Sequence, residues 1–387
     1  MRDLVPELRA WVADGRPFAL ATVTRTWQSS PRPAGAAMAV NADGEVAGSV
    51  SGGCVEGAVY DVAQRVLADG TARGAHYGIS GADAFSVGLT CGGELDVTVV
   101  RVDPATDPAF AAVIDAIEAG TPVAVATVVA APGDHGPAVG DRRIVFADRA
   151  IGTLGTDRLD DAVTDDARGL LRAGHSEVLH YGPDGQRRPD ELEVFVTAFA
   201  PRPRMIVFGA IDFARAVART GGFLGHHVTV CDARPVFATP ARFPEADEVV
   251  VRWPHAYLQE EVEAGRVEQS TVLTVLTHDP KFDVPLLEVA LRSPAGYVGA
   301  MGSRRTHAAR LAELRERGVT EAELARLSGP IGLDLGARTP EETAVSIAAE
   351  VIAARWGGTG RRLSDLDGRI HRDPVPESSP TLTASAP

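Results

Sequence analysis

Met205-Ile206-Val207-Phe208-Gly209-Ala210-Ile211-Asp212-Phe213-Ala214 reads as a buried strand, a glycine turn and the opening of a helix. An apolar run too short for a helix, closed by glycine and followed by an amphipathic stretch, is how a strand–helix–strand crossover begins. The beat continues downstream: a helix over 213–220, VTVCD over 228–232, an acidic loop, TVLTVLT over 271–277, a helix from Pro285, GYVGA over 296–300 and a helix from His307. Runs buried on both faces, separated by amphipathic helices, predict a parallel sheet wound by crossovers, a Rossmann-like domain over 205–358. Its last helix announces its start, with Thr339 as cap, Pro340 in the first position and Glu342 reaching back from the third. Gly357 and Gly358 end it.

Upstream, Pro201-Arg202-Pro203-Arg204 resists both helix and central strand and marks a linker. Before it, 106–200 reads as a β-rich, antiparallel extension, with a helix over 110–119 and strands over 123–130 and 192–199. Residues 1–105 read as an α+β module. Leu4, Leu8, Trp11 and Val12 share one helix face that stops at Gly15, strands cover 18–24, 37–40 and 95–102, and Val55, Val59, Val62 and Val66 line a second helix. The expected fold class is therefore α/β, an N-terminal α+β module plus a C-terminal Rossmann-like parallel sheet. No repeat of solenoid period appears. Residues 359–387, rich in Pro, Ser, Thr and charge, are expected to be a disordered tail.

The chain has 387 residues, 45% hydrophobic and 23% charged, which suits two or three globular domains. A formal charge of −14 with no basic stripe argues against nucleic acid. The charged first helix lacks the core of a signal peptide and no long apolar run follows, so a cytoplasmic protein without a membrane span is expected. Cys54, Cys91 and Cys231 are too few for a disulfide scaffold and suit a reducing compartment.

Two segments carry chemistry. In GSVSGGCVE, residues 48–56, a glycine pair precedes a cysteine expected to open a helix, and Ser51, Gly52, Gly53, Cys54 and Glu56 crowd into one turn. Glycines permit positive φ and close approach, the first amides of a helix favour an anion, and a thiol there favours its thiolate. In LTCGGE, Cys91 stands before Gly92 and Gly93, with Glu94 next, ahead of a strand. Each cysteine alone is most simply a small buried hydrophobe, but two glycine-flanked cysteines, each beside a glutamate, are an unusual duplication. Without CxxC spacing or a histidine pair they do not make a four-coordinate zinc site.

GSVSGGCVEG and CGGELDV, with the opening segment around SSPRPAG at 29–35, resemble the XdhC/CoxI family, as do the GYVGAMGSRR and PIGLDLGARTPEETAVSIAAE segments. The resemblance implies a factor that binds the molybdenum cofactor transiently, protects it while a cysteine desulfurase adds sulfur, and inserts it into a xanthine dehydrogenase or CO dehydrogenase type molybdenum hydroxylase. It implies no turnover of its own, with Cys54 and Cys91 as contacts to the metal or its sulfur; a homodimer is left open. A thiolate is a suitable soft ligand for such a centre, and backbone amides suit its phosphate.

In the second half, Gly209 opens the glycine turn and Asp232 ends the next strand, where a ribose hydroxyl would be held. Ile211 replaces the middle glycine of a dinucleotide fingerprint, and Asp212 adds negative charge where the family has histidine, so NAD(P) is not expected. His278, and Gly302-Ser303-Arg304 before a helix, follow later strands and should line one crevice; Ser303, the helix amides and an arginine would seat a phosphate or carboxylate. Two other classes remain on the table: a nicotinamide oxidoreductase built on this sheet, and a docking protein with no small ligand.

Overall fold

A computed structural model describes residues 1–27, 30–78, 93–132, 136–182, 184–188 and 192–367. It divides into two compact units, Met1–Pro201 and Arg202–Pro387.

The first unit starts with α1 (Val5–Ala13), then β1 (Phe18–Trp27), β2 (Ala37–Asn41), β3 (Val46–Gly48), α2 (Glu56–Asp69), β4 (Arg73–Tyr77) and β5 (Glu94–Val102). The strands form an antiparallel sheet in the order β3-β2-β1-β5-β4. The next stretch repeats this plan element for element: α3 (Ala109–Glu118), β6 (Val123–Ala130), β7 (Arg142–Phe146), β8 (Ala150–Ile151), α4 (Asp157–Ala173), β9 (Glu177–Tyr181) and β10 (Leu192–Phe199). Its sheet order is β8-β7-β6-β10-β9, the same topology. Details of the backbone repeat too. Gly35 and Gly140 both have positive φ and donate their amides to Val23 and Val128, the matching positions of β1 and β6. GRPFALATV at 15–23 and GTPVAVATV at 120–128 carry the repetition in the sequence.

Alternation along the strands assigns the faces. Ala19, Ala21 and Val23 pack under α2 with Val59, Val62 and Val66, while Ala124, Ala126 and Val128 pack under α4 with Leu159, Val163 and Leu171. The opposite faces bring Leu20, Thr22 and Thr98 of one sheet and Val125, Thr127 and Thr197 of the other around a shared cavity of about 500 Å³, solvent-connected space included. Phe18, fully buried, has Trp11 of α1 and Phe110 of α3 at ring-centre distances of 5.8 Å each, so one aromatic cluster ties both entry helices to the core.

In the second unit, β11 (Arg204–Phe208), α5 (Asp212–Phe223), β12 (His227–Asp232), β13 (Glu248–Val251), α6 (Pro254–Glu263), β14 (Val272–Val275), α7 (Pro280–Arg292), β15 (Tyr297–Ala300), α8 (Arg304–Glu316), α9 (Glu321–Leu324), β16 (Leu327–Ser328) and α10 (Pro340–Trp356) follow in turn. All ladders are parallel, in the order β13-β12-β11-β14-β15-β16, so the winding reverses between β11 and β14. The capping box of Thr339 and Glu342 starts α10, and Gly357, with φ 67°, ends it. A single 3-10 turn at Leu363–Asp365 follows, and residues 368–387 of the expected tail lie outside the described residues. Among the described residues no helix is long and apolar enough to cross a membrane.

Gly48 ends the third strand of the first repeat and Gly152 directly follows that of the second, with φ 75° and 90°. A Cβ on Gly48 would lie 2.5 Å from the Ala37 carbonyl oxygen, and one on Gly152 2.4 Å from that of Arg142. Replacing either by alanine is expected to cost about 2 to 5 kcal/mol, strain and clash together. Urea unfolding of the two variants checks this, and a loss at only one of them would break the structural equivalence.

Candidate functional site

The cysteine turn runs from Gly48 to Glu56, and its geometry is organised by Glu56. The helix begins at Glu56, with Val55 as its cap residue, so Cys54 stands before the helix rather than opening it. The Glu56 carboxylate folds back over the turn and accepts the backbone N–H groups of Val50 (3.2 Å), Ser51 (2.9 Å), Gly52 (3.0 Å), Gly53 (2.8 Å) and Val55 (3.2 Å). The hydroxyls of Ser49 and Ser51 donate to it as well, at 2.5 and 2.6 Å. Ser51, itself buried, accepts the N–H groups of Cys54 and Val55 at 3.0 and 3.1 Å. Gly52 and Gly53 supply the positive φ, 80° and 118°, that turns successive amides toward one point. The anion that the sequence led us to expect from a ligand is thus supplied by the chain. Burial alone would raise the Glu56 carboxyl, but the hydroxyls of Ser49 and Ser51 and the amides outweigh it and hold it down to about 2.

Cys54 is half-buried against the core under α2, while Gly52 and Gly53 are exposed and a Cβ on either would meet nothing within 4 Å. One side of the turn is therefore open. The cavity between the sheets lies on the other face of β1 from α2, so it is not a chamber for this thiol. Cys91 and Gly92 lie outside the described residues; Gly93 is buried just before β5. Beside that strand end, His76 Nδ1 is 2.8 Å from the Asp96 carboxylate and its Nε2 is 4.0 Å from Glu94. Among the described residues, no group of three or more His, Cys, Asp or Glu side chains gathers as a metal cage.

In the second unit, Gly209, His278 and Gly302 follow the neighbouring strands β11, β14 and β15, and Asp232 ends β12, so the expected crevice residues share the carboxyl edge of one sheet at its reversal point. Gly209 has φ 108°, and a Cβ there would lie 2.8 Å from Thr277 Cγ2. Asp232, expected to hold a ribose, accepts the Ala210 N–H at 2.7 Å and a bidentate Arg234 guanidinium at 3.0 and 2.8 Å. Burial would raise its carboxyl, and Arg234 and Ala210 overcome that and lower it. Cys231 is sealed in the strand, where burial and the neighbouring Asp232 push its thiol up to about 12. His278 is exposed, and Asp279 beside it caps α7 through the Lys281 N–H.

Ser303 caps α8, its Oγ accepting the Thr306 N–H at 3.1 Å, with Arg304 and Arg305 exposed at the helix start. Beneath this turn is a network whose buried arginine sequence reasoning missed. Arg310, almost wholly buried, donates to Asp283 at 2.7 Å and to the Met301 carbonyl at 3.1 Å, and Thr277 donates its hydroxyl to the other Asp283 oxygen. Among the described residues Arg310 Nη1 has no hydrogen-bond partner, and it sits 3.8 Å from a Cβ position on Gly302. The only hint in the sequence is an arginine two helical turns after Ser303, on the side that carries Leu314 inward.

A cysteine turn set in a duplicated antiparallel unit, joined to a Rossmann-type parallel sheet, defines a two-part α/β protein whose chemistry sits in turns and strand ends. The chain belongs to the XdhC and CoxI family: that family's model matches residues 11–78 and 116–182, and the XdhC Rossmann domain matches 205–351. Among relatives, the molybdenum cofactor insertion chaperone PaoD of Escherichia coli is 26% identical over 88% of this chain and 84% of its own length. A Bacillus subtilis protein named as a probable xanthine dehydrogenase component is 28% identical over 90% of this chain and 96% of its own length. The Escherichia coli protein YqeB is 29% identical over 63% of this chain, which spans only 45% of that relative's length. The crystal structure of a xanthine dehydrogenase from Bacillus halodurans has the same fold, with a TM-score of 0.69 at 24% identity over 90% of this chain and 95% of that one.

Two measurements follow from the charges. Glu56 ionises near 2 when folded against 4.5 when free, so its stabilisation is complete above pH 4.5 and lost as pH falls toward 2. Denaturation midpoints across that window should fall more steeply for the native chain than for Glu56→Gln, and parallel curves would contradict the carboxylate's role. Arg310→Met leaves Asp283 buried and unpaired and is expected to cost about 3 to 5 kcal/mol at pH 7. Burial already raises the Asp283 carboxyl against the pull of Thr277 and Arg310. Without the arginine it rises further, so the deficit should shrink between pH 7 and pH 5, read by urea unfolding; a constant deficit would mean packing, not charge.

Proposed function

We propose that this chain is a maturation factor that holds a molybdenum cofactor, protects it during sulfuration by a cysteine desulfurase, and passes it to a molybdenum hydroxylase of the xanthine dehydrogenase or CO dehydrogenase kind. It has no turnover of its own. The observation that carries the reading is membership of the XdhC and CoxI family together with PaoD, a relative named as an insertion chaperone that aligns along most of the chain. The cofactor is cargo, and the metal, its own sulfurs and its phosphate arrive with it.

In this reading Cys54 and Cys91 contact the metal or its labile sulfur, because a thiolate is a soft donor that can be made and broken without a rigid cage. Support comes from the open side of the turn, where Gly52 and Gly53 present no side chains to an approaching ligand. The amides of the turn are already taken by Glu56, so the loop offers the thiol and its own shape rather than an anion seat. In the second unit, the start of α8 supports an anionic group of a ligand there: the first-turn amides, Ser303 and the exposed Arg304 and Arg305 lie beside Gly302, with His278 on the neighbouring strand end. The nicotinamide alternative has less support, since Asp232 is committed to Ala210 and Arg234.

Mass spectrometry of ligand released from anaerobically purified protein tests the reading. A molybdenum-bearing pterin is expected, and the Cys54→Ser, Cys91→Ser double variant should release about 10- to 100-fold less. A nicotinamide mass from the native chain, or full cofactor occupancy in the double variant, would overturn it.

A further inference from the structure

We propose that Glu56 is a positioning residue, a built-in anion that keeps the Cys54 turn unwound and does not itself touch the cargo. The inference rests on the reading that Cys54 handles that cargo. It begins with the repeat. Counted from the paired glycines, Gly48 and Gly152, Val50 corresponds to Leu154, Cys54 to Arg158 and Glu56 to Asp160. Val50 and Leu154 are both fully buried, and each donates its N–H to the matching carboxylate, Val50 to Glu56 at 3.2 Å and Leu154 to Asp160 at 2.7 Å. The carboxylate is therefore kept in both copies and the cysteine in one. A group retained where there is no thiol serves the turn.

The copies differ in what the carboxylate replaces. In the second, Thr156 caps the helix, α4 runs from Asp157, and Asp160 lies within its first turn, its other oxygen 3.1 Å from Arg143. In the first, the positions matching that helical turn, Gly53 to Val55, remain outside α2. Their amides, with those of Val50 to Gly52, turn instead to the Glu56 carboxylate and the Ser51 hydroxyl. Both carboxylates reach back ahead of their helices, Glu56 to Val50 and Asp160 to Leu154, but only in the first copy does a glycine pair supply φ values that a helix would not use and turn the intervening amides to the carboxylate. The unwound segment displays Cys54 beside an open face. The Glu56 carboxylate and the Ser51 hydroxyl, not the helix, satisfy its donors.

Alkylation is read in the full chain with Cys91→Ser, leaving Cys54 as the reactive thiol because Cys231 is buried, and cofactor retention is read in the full chain with Cys91 in place. Glu56→Ala should speed alkylation of Cys54 by about fivefold or more, the scale of one lost turn anchor, as the thiol leaves its packing. It should lower molybdenum cofactor retention by about 10- to 100-fold. Added formate, which can refill the cradle of amides, should reverse both effects. Glu56→Gln, close in shape and able to fold, should lose retention without responding to formate, because its side chain still fills the space and its NH2 faces donors. Asp160→Asn should lower the melting temperature yet leave alkylation and retention as they were. Native alkylation and retention in Glu56→Ala, or a loss in it that formate does not relieve, would overturn the positioning role. If the native chain retains no cofactor, the proposed function fails, while alkylation and its formate rescue still decide what Glu56 does.

Discussion

Two-residue alternation over residues 18–23 of β1 and 123–128 of β6 is the constraint on which the first unit depends. Each central strand has one face under a helix and the other toward the second sheet, so a slip of one residue would drive Thr22 and Thr127 into aliphatic cores. The bonds from Gly35 to Val23 and from Gly140 to Val128 pin the register at the point where each first strand gives way to the next. That assignment of faces also separates two features that could be confused. The cavity between the sheets and the cysteine turn lie on opposite sides of β1, and each must be understood alone.

In both units, the polar groups that sequence motifs offer to ligands are often engaged within the chain. The glycine-turn amides hold Glu56, Asp232 holds Ala210 and Arg234, and Asp283 joins Thr277 to Arg310. Two arginines at the start of α8 are exposed, and the half-buried Cys54 stands on an open turn. Such internal satisfaction fixes geometry before any ligand arrives, which lowers the cost of binding. It also means that a motif match names a place more securely than it names a contact.

Much of the second unit was legible because its signals are local. Buried runs such as Val272-Leu273-Thr274-Val275, the Pro201-Arg202-Pro203-Arg204 break and the Thr339 capping box each state their structure in a few residues. The start of α2 was not legible, since it depends on a glutamate side chain substituting for helix bonds. The Arg310 to Asp283 pair joins residues on different helices and leaves no local trace. The duplication was written in GRPFALATV and GTPVAVATV, but its period is longer than that of solenoid repeats and the intervening sequences have diverged. The convergence of Cys54 and Cys91 rests on a residue outside the described ones.

Two copies of one topology in a single unit create a hazard during folding, because a strand of one copy can dock on the sheet of the other. The register that pairs Ala21 with Met38 in the first sheet pairs Ala126 with Arg143 in the second. Exchanging those strands would bury a guanidinium in the aliphatic core around Met38 and strand Asp160 without its cation. Divergence at this one pair of positions thus does more than tune a turn: it makes each sheet a poor host for the strand of the other copy.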